Sequence, residues 1–340
     1  MAFPQGMILA AGLGSRLDPL TRLLAKPALP FLNRPLLHYS LDFFHQAGIG
    51  QVFVNLHYLP ETVRRAVDSF DTQMQVQYSQ EDQILGTAGG IGRIRESITS
   101  QTLVVSNGKI YFEEELARAL RFHRQSDAWS TLLVLPWIQG ESYNPIFLDA
   151  RGQLTAFGKP LPGVPGQQPY IYSGVQILDR QALDLIPEGV SDSMNELYPR
   201  MIQAGYPVLG YVSRAFWCEC SWPQRYLDMS LQILQMRGLE NLGPVEGSDC
   251  QGVTAAEGAW LGGGCRLRDS ILWRGASIGS GSRLTRCIVT QGAEVPSGSE
   301  LKDVIVTPIL DTVSASEPAA QVGNTWIWPL QRNSPPSSNA

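Results

Sequence analysis

The sequence predicts an α/β domain with a mostly parallel sheet, followed by a short left-handed β-helix. Two patterns predict this architecture. From Met7 to about Gly238, short apolar runs alternate with amphipathic runs, which is typical of strands that are connected by helices. From Gly258 onward, glycines and aliphatic residues recur every 17 residues, which is typical of chain coils that stack on one another.

The elements of the first domain are predicted from runs bounded by glycine, proline or polar clusters. Four runs are short and rich in apolar or β-branched residues, as buried strands are: Met7–Ala11, Gln51–Leu56, Thr102–Val105 and Ser130–Leu135. Three longer runs space their apolar residues as a helix does: Pro35–Ala47, Glu61–Phe70 and Glu113–Arg124. Because strands and helices alternate, we expect the strands to pair in parallel.

The repeat that follows aligns in three units, with glycines at Gly258, Gly275 and Gly292. Within each unit two aliphatic residues stand six positions apart, as Leu261 and Leu267 do. A six-residue step with glycines between the aliphatic residues is typical of a left-handed β-helix, whose coils stack into one continuous core. A few coils cannot close both ends of such a core. We therefore expect one end to pack on the first domain and the other on a second copy, which makes the protein a homo-oligomer.

The domain boundaries are placed where the composition changes. We expect the α/β domain to cover residues 1–240 and the β-helix to cover residues 245–310. Residues 311–340 are rich in Ser, Pro, Ala and Asn, which predicts a largely disordered tail. Within that tail, Trp326 and Trp328 could dock on a surface.

Composition excludes several classes of protein. Apolar residues make up 44% of the chain and charged residues 17%, which is ordinary for a soluble globular protein. The net charge of -5 argues against a nucleic-acid partner, and no run is apolar enough for a membrane span. The five cysteines form no C-x-x-C pair, and the N-terminus lacks the pattern of a signal peptide. We expect a cytoplasmic protein with free thiols.

The first chemical motif is a glycine loop after the first predicted strand. Gly12 and Gly14 precede Ser15 and Arg16, so backbone N–H groups there can close around phosphates. The third glycine of a dinucleotide fingerprint is absent, because Leu17 occupies that position. This departure argues against a dinucleotide-dependent oxidoreductase.

The residues after the loop identify a family resemblance. The runs Leu17–Thr21, Ala25–Pro30 and Asn33–Pro35 resemble the G-x-G-x-R-x-x-P-L-T … P-K-P signature of sugar-1-phosphate nucleotidyltransferases, also called NDP-sugar pyrophosphorylases. The resemblance implies a Rossmann-like nucleotidyltransferase domain. It also implies that one set of residues binds the nucleoside triphosphate: Ala10, Ala11, Gly12, Gly14, Ser15, Arg16 and Lys26.

A second motif, Glu81–Ile91, resembles the E-x-x-x-L-G-T-A-G loop of the mannose-1-phosphate guanylyltransferase branch. That loop holds the base in the family. The resemblance implies that Glu81, Gly86 and Thr87 bind the nucleotide, with GTP favoured and UTP possible as the triphosphate. Glycines near a helix start can also be merely permissive, which is the structural alternative.

A third motif departs from the family pattern. Asn107-Gly108-Lys109 matches a strand end at which the family carries N-G-D, whose aspartate binds Mg²⁺. The resemblance implies that Asn107 binds nucleotide and that the Lys109 ammonium approaches the phosphates. The family's second metal aspartate is matched by Glu219, which we predict to be a ligand of Mg²⁺.

The acceptor side of the family is matched at two places. Phe157–Pro160 resembles F-x-E-K-P, which makes Lys159 the residue that holds the sugar phosphate, whereas Gly158 replaces the carboxylate. Tyr172-Ser173-Gly174 resembles a strand that contacts the sugar. Lys159, Ser173 and Gly174 are therefore the predicted binding residues for a sugar-1-phosphate of mannose or glucose type.

The resemblance implies transfer of a nucleoside monophosphate to a sugar-1-phosphate with release of pyrophosphate. Four basic residues would carry the catalysis: Arg16, Lys26, Lys109 and Lys159. An alternative is a weakly active or inactive homologue that binds nucleotide and regulates a partner, because several metal-site and sugar-site positions are substituted. A β-helix acyltransferase is a third class, but it commonly needs a histidine base, and no histidine follows His123.

Overall fold

The computed structural model describes residues 3–139, 143–243, 249–309 and 320–330. Its backbone contacts divide the chain into two compact units. The first unit comprises residues 1–13, 26–28 and 36–218, and the second comprises residues 14–25, 29–35 and 219–340. Two short N-terminal segments and residues 219–243 cluster with the repeat in the second unit.

The first unit alternates strands and helices as predicted. Its strands are β1 Gln5–Leu9, β2 Gln51–Leu56, β3 Gln75–Gln80, β4 Thr102–Asn107, β5 Ile110–Phe112, β6 Ser130–Pro136, β7 Ile146–Leu148, β8 Leu154–Phe157, β9 Gln168–Asp179, β10 Val208–Val212 and β11 Trp217–Glu219, which ends at the unit boundary. Its helices are α1 Leu37–Gln46, α2 Pro60–Asp68, α3 Gly86–Arg93, α4 Leu116–Gln125 and α5 Tyr198–Gln203. In the part of the chain that the structure describes, no helix is long and apolar enough to cross a membrane.

The main sheet has a parallel core, in the order β3–β2–β1–β4. The prediction of a parallel sheet is therefore confirmed for these strands. Outside the core, β9 pairs antiparallel with β4, β6 and β7. The sequence pattern did not give the extent of β9, although the family resemblance marks Tyr172–Gly174 within it as part of a strand. Its pairing with β6 is interrupted by a register shift between Tyr172 and Val175, so no uninterrupted apolar run marks this strand.

The parallel core decides where a ligand can bind in this unit. Because the four strands run in the same direction, their carboxyl ends Leu9, Leu56, Gln80 and Asn107 lie at one edge of the sheet. Loops that follow parallel strands at this edge are the usual ligand-binding places of α/β sheets. Side chains of these strands, among them Met7, Phe53 and Val105, pack into a buried core.

The second unit contains stacked short strands and one long helix, α6 Pro223–Met236. Its strands are β12 Asn241–Leu242, β13 Asp249–Ala255, β14 Trp260–Leu261, β15 Arg266–Leu272, β16 Ser277–Ile278, β17 Arg283–Thr285, β18 Ile288–Val289, β19 Glu294–Val295, β20 Glu300–Lys302, β21 Val304–Pro308, β22 Ala320–Val322 and β23 Thr325–Pro329. A two-strand hairpin of residues 30–31 and 34–35 also belongs to this unit.

The predicted 17-residue register is confirmed by the strand pairing. Leu261 pairs with Ile278, and Ile278 pairs with Val295, all in parallel. A second ladder aligns β15, β17 and β20 with the same offset, and a third aligns β15, β18 and β21. Leu267, Ile278, Leu284 and Val295 of the repeat are buried in one cluster, and Leu261 and Leu301 pack against it half-buried, so the coils share the continuous core that the repeat predicts.

The C-terminal hairpin corrects one prediction. Residues 320–330 fall within the tail that the sequence predicts to be largely disordered, yet β22 and β23 pair with each other and β23 pairs with β21. Trp328 is buried and donates from Nε1 to the Thr307 hydroxyl at 3.0 Å. Alternating aromatic and aliphatic residues have high strand propensity, which the overall composition of the tail conceals. The rest of the predicted tail lies outside the described residues.

Helix α6 is joined to the stacked strands by polar contacts within the second unit. The buried Trp273 donates from Nε1 to the Tyr226 hydroxyl at 3.0 Å, and that hydroxyl donates to the carbonyl of Pro30. Arg286 forms ion pairs with Asp228 at 2.8 Å and with Asp303 at 3.0 Å. These contacts explain why the helix clusters with the repeat.

Candidate functional site

The glycine loop begins at the carboxyl edge of the sheet in the first unit. Ala10 and Ala11 are buried, whereas Gly12 is exposed. A Cβ at Gly12 would meet no atom within 4 Å, so there is open space beside this residue. Backbone N–H groups that face open space at a strand end can bind phosphate oxygens, as the resemblance implies.

The predicted residues Lys26, Asn107 and Lys109 belong to segments that meet at the same edge. Gly108 donates its backbone N–H to the Leu9 carbonyl at 3.0 Å. A Cβ at Gly108 would lie 2.9 Å from Ile8 and 3.4 Å from the Pro27 side chain. The segment 26–28 therefore packs against the turn that carries Lys109.

These two lysines differ in exposure. Lys26 is largely buried, with 8% of its surface exposed, and Lys109 is half-buried. Both lysines lie on segments that pack together, and an ammonium group is a suitable donor to a polyphosphate.

The second motif is held in place by a buried amide and a buried carboxylate. Asn55, at the carboxyl end of β2, accepts from the backbone N–H of Ala10 at 2.6 Å and donates to Glu81 Oε1 at 2.8 Å. Glu81 Oε2 accepts from the backbone N–H of Leu85 at 3.0 Å. Glu81 is 1% exposed. The structure thus gives Glu81 a position behind the loop, which differs from the direct nucleotide contact that the sequence analysis predicts.

Gly86 and Thr87 pack against a neighbouring segment of the first unit. Gly86 has φ +78, and a Cβ there would lie 2.4 Å from the Ser191 carbonyl oxygen. That same oxygen accepts from the backbone N–H groups of Ala88 and Gly89, both at 3.1 Å. The glycine is required by this close approach of two backbones.

The Thr87 hydroxyl is also engaged within the protein. It donates to Asp192 at 2.9 Å and accepts from the backbone N–H of Ser193 at 2.8 Å. Asp192 caps the short helix 193–197 through the N–H groups of Met194 and Asn195. The motif therefore fixes the start of α3, and the Thr87 hydroxyl is already engaged in hydrogen bonds within the protein.

Two of the predicted acceptor residues, Ser173 and Gly174, lie on a bulge of β9. The Ser173 hydroxyl is fully buried and donates to the Leu133 carbonyl at 2.7 Å, and the Ser173 carbonyl accepts from Trp217 Nε1 at 2.8 Å. Gly174 has φ +88, and a Cβ there would lie 2.7 Å from Asn107 Nδ2. The structure thus brings Asn107 and Gly174 together, and it gives the Ser173 side chain a structural role.

Lys159 lies in a different environment. It is exposed and follows Gly158, which has φ +73 and donates its N–H to the Pro145 carbonyl at 2.8 Å. A Cβ at Gly158 would meet no atom within 4 Å, so the lost carboxylate leaves open space. An exposed lysine on such a turn is accessible to a phosphate.

Other predicted site residues, Gly14, Arg16 and Glu219, belong to the second unit. Gly14 adopts φ +68 and its carbonyl accepts from Leu17 N at 2.8 Å, which starts a short 3-10 turn at Ser15. The Arg16 side chain is 54% exposed and lies 3.8 Å from Glu219 Oε1. The same oxygen accepts from the Ser221 hydroxyl at 3.1 Å.

At the magnesium site that the resemblance implies, this chain offers one carboxylate, Glu219, where the family has two aspartates. Mg²⁺ prefers oxygen ligands and is usually held by one or two carboxylates together with phosphates. Glu219 is a single carboxylate whose Oε1 contacts a hydroxyl and a guanidinium, and position 109 carries an ammonium, which cannot ligate a cation. Among the described residues, no group of three or more His, Cys, Asp or Glu could hold a metal ion.

Two residues of this site were not predicted from the sequence. Asn55 joins the glycine loop to the second motif, and Asp192 fixes Thr87. The available signal for Asn55 was weak: a single polar residue near the end of an apolar strand. For Asp192 the sequence offers no signal, because its partner lies 105 residues away.

The fold is that of an α/β protein whose loops with phosphate-binding motifs follow the carboxyl ends of parallel strands. The matching family model is described as nucleotidyl transferase and spans residues 5–236. The chain therefore belongs to the nucleotidyl transferase family, and the resemblance inferred from its motifs is confirmed.

Named relatives agree with this membership. The chain is 28% identical to mannose-1-phosphate guanylyltransferase of Mycobacterium tuberculosis over 79% of each protein. It is 27% identical to UTP–glucose-1-phosphate uridylyltransferase of Synechocystis, over 69% of this chain and 66% of that protein. The crystal structure of HddC from Yersinia pseudotuberculosis with GMP-PN has the same fold, with a TM-score of 0.57, 19% identity, and coverage of 68% of this chain and 99% of that one.

Proposed function

We propose that this chain transfers a nucleoside monophosphate from a nucleoside triphosphate to a sugar-1-phosphate and releases pyrophosphate. The single observation that supports this most is the carboxyl edge of the first unit. There the glycine loop, the second motif and the Asn107-Gly108-Lys109 turn all follow parallel strands in a chain that belongs to the nucleotidyl transferase family. The relatives act on mannose-1-phosphate and glucose-1-phosphate by name, which supports GTP or UTP as donor.

The reaction needs positioning and charge neutralisation more than covalent participation by the protein. A phosphate oxygen of the sugar-1-phosphate attacks the α-phosphorus, the bond from that phosphorus to the bridging oxygen breaks, and pyrophosphate leaves. We assign Lys26 to the leaving pyrophosphate and Lys159 to the acceptor phosphate. Arg16 keeps the triphosphate role that its motif implies.

Lys109 has a special place in this assignment, because it stands where the family carries a metal-binding aspartate. A unit charge pair at about 4 Å is worth about 4 kcal/mol at an effective dielectric of 20. An ammonium beside a phosphate can therefore supply part of the attraction that a metal would supply. We assign the neutralisation of the phosphate charge to lysine and arginine side chains rather than to a magnesium ion held by Glu219.

The repeat is proposed to be a left-handed β-helix that covers residues 245–310, behind an α/β domain of residues 1–240. The 17-residue register and the parallel ladders support a β-helix, and the six-residue spacing of aliphatic residues supports the left hand. We further propose a homo-oligomer in which the repeat supplies the contact surface. The hairpin of β22 and β23 already covers one edge, at β21, so a second copy would meet a different surface.

The decisive experiment measures pyrophosphate release by the purified protein with GTP or UTP and with mannose-1-phosphate or glucose-1-phosphate. Each pair is tested with and without Mg²⁺, and triphosphate affinity is measured by calorimetry under the same conditions. We expect turnover with at least one pair and triphosphate binding without added Mg²⁺. An absence of both turnover and binding would refute the proposed function.

The Lys109→Asp variant separates enzyme from regulator. We expect triphosphate binding to become dependent on Mg²⁺ and turnover to fall. A large gain in turnover would instead mean that the lysine silences the site, which favours a regulatory homologue. Lys302→Asp makes the same charge change at an exposed position of the repeat, so it is the matched control. If both variants behave like the wild type, Lys109 lies outside the site.

A further inference from the structure

We propose that Asn55 is a positioning residue that connects the phosphate-binding loop to the base-binding loop. This inference rests on the proposed function, because it concerns how one nucleotide is held at both of its ends. Asn55 is 3% exposed and lies near the carboxyl end of β2, between β1 and β3 in the sheet. Its amide makes one hydrogen bond toward each neighbouring loop.

One hydrogen bond of Asn55 reaches a backbone N–H directly, and the other reaches a backbone N–H through the Glu81 carboxylate. On one side Asn55 Oδ1 accepts from the N–H of Ala10, which opens the glycine loop, at 2.6 Å. On the other side Asn55 Nδ2 donates to Glu81 Oε1 at 2.8 Å, and Glu81 Oε2 accepts from the N–H of Leu85 at 3.0 Å. Leu85 directly precedes α3, so the chain of hydrogen bonds runs from one ligand loop to the other.

The surroundings leave little freedom to this pair. A Cβ at Gly90 would lie 2.9 Å from Asn55 Nδ2 and 3.0 Å from Glu81 Oε1, so the first turns of α3 close over the two side chains. The Glu81 backbone is fixed as well, because its N–H donates to the Leu56 carbonyl at 2.8 Å and its carbonyl contacts His57 Nδ1 at 2.9 Å. The two loops therefore keep a fixed separation.

Stability alone does not favour such an arrangement. A carboxylate that is 1% exposed is costly to bury, and in the part of the chain that the structure describes Glu81 has hydrogen bonds and no ion pair. An apolar pair of similar volume could fill the same space at lower cost. An apolar pair would not fix the distance between the two loops. Directional hydrogen bonds do fix it, because they hold the backbone N–H groups of both loops in defined positions.

The test exchanges donor and acceptor within the pair. Asn55→Asp keeps the acceptor for Ala10 but places a carboxylate against Glu81. Glu81→Gln places an amide donor against either Asn55 or the N–H of Leu85. The double variant Asn55→Asp/Glu81→Gln restores all three hydrogen bonds with the polarity of the central one reversed, and its net charge equals that of the wild type.

The readout compares a ligand that spans both loops with one that needs only the phosphate loop. Calorimetry measures the affinity of the full chain for GTP, for UTP and for inorganic tripolyphosphate. For each single variant we expect about a tenfold loss for the nucleotide that the wild type binds, the size typical of one hydrogen bond to a charged group. Tripolyphosphate affinity should stay within about twofold, and the double variant should recover the nucleotide affinity.

Several results would overturn the inference. Equal losses for nucleotide and tripolyphosphate would show a general loss of structure, and a lower melting temperature with unchanged nucleotide affinity would show a purely structural pair. If a single variant does not fold, the double variant decides: a folded double variant that binds the nucleotide tenfold more weakly than the wild type overturns the inference. A wild-type protein that binds neither nucleotide would refute the proposed function itself, and this inference with it.

Discussion

The Gly86→Ala substitution should destabilise the first unit by about 3–4 kcal/mol, through two contributions that the structure separates. Gly86 has φ +78, where an L-residue costs about 1–2 kcal/mol. The added Cβ would also lie 2.4 Å from the Ser191 carbonyl oxygen, which must then move. Moving it breaks the bonds from Ala88 and Gly89, each worth about 1 kcal/mol.

Gly189→Ala is the matched control for this variant. Gly189 has φ +79, almost the same backbone conformation, but a Cβ there would meet no atom within 4 Å. The Gly189→Ala variant should therefore be destabilised only by the conformational cost of about 1–2 kcal/mol. Urea unfolding followed by circular dichroism measures both variants, and the Michaelis constant for the triphosphate should rise more for Gly86→Ala. Equal stability losses in the two variants would refute the crowding argument.

Two further predictions concern the second unit. Arg16→Ala should weaken triphosphate binding by about 1.5–3 kcal/mol, the range for hydrogen bonds to charged groups. Arg283→Ala, at an exposed position of the repeat, is the control and should not weaken binding. Calorimetry that finds no difference between the two variants would remove the main support for the glycine-loop motif. Burial raises the pKa of the Cys287 thiol to about 11, so at pH 8 the thiolate is scarce and iodoacetamide should label Cys287 more slowly than the more exposed Cys250. Peptide mass spectrometry measures both rates, and faster labelling of Cys287 would contradict its burial.

Three strands of the parallel core, β1, β2 and β4, could be predicted well because they are buried on both faces, whereas the more exposed edge strand β3 was not predicted. For β2 the predicted and observed bounds agree at Gln51–Leu56. The first strand begins two residues earlier than predicted, at Gln5. Gln5 is buried and its amide bonds to Gln51 and to the N–H groups of Thr99 and Ser100, and such satisfied polar residues are invisible to an apolar pattern.

The site was predictable in its loops but not in its internal connections. The motifs placed Ala10, Asn107 and Lys109 at strand ends, and the structure places them there. The burial of Glu81 and of the Ser173 hydroxyl was not predicted, because family resemblance assigns a role to a position without saying whether its side chain reaches a ligand. The same reason explains why Asn55 was missed: its partners are 45 and 26 residues away and meet it only through the strand order.

The register of the repeat also makes its length adjustable. Each coil is in contact with its neighbours through the same positions, as Leu267, Leu284 and Leu301 show, so a copied coil would meet surfaces that already fit it. A duplication of residues 275–291 would lengthen the stack by one strand spacing of about 4.8 Å. The terminal hairpin, which pairs with β21 in the last coil, would move outward with that coil. Gene duplication can therefore extend this part of the molecule without altering the residues that surround the ligand loops of the first unit.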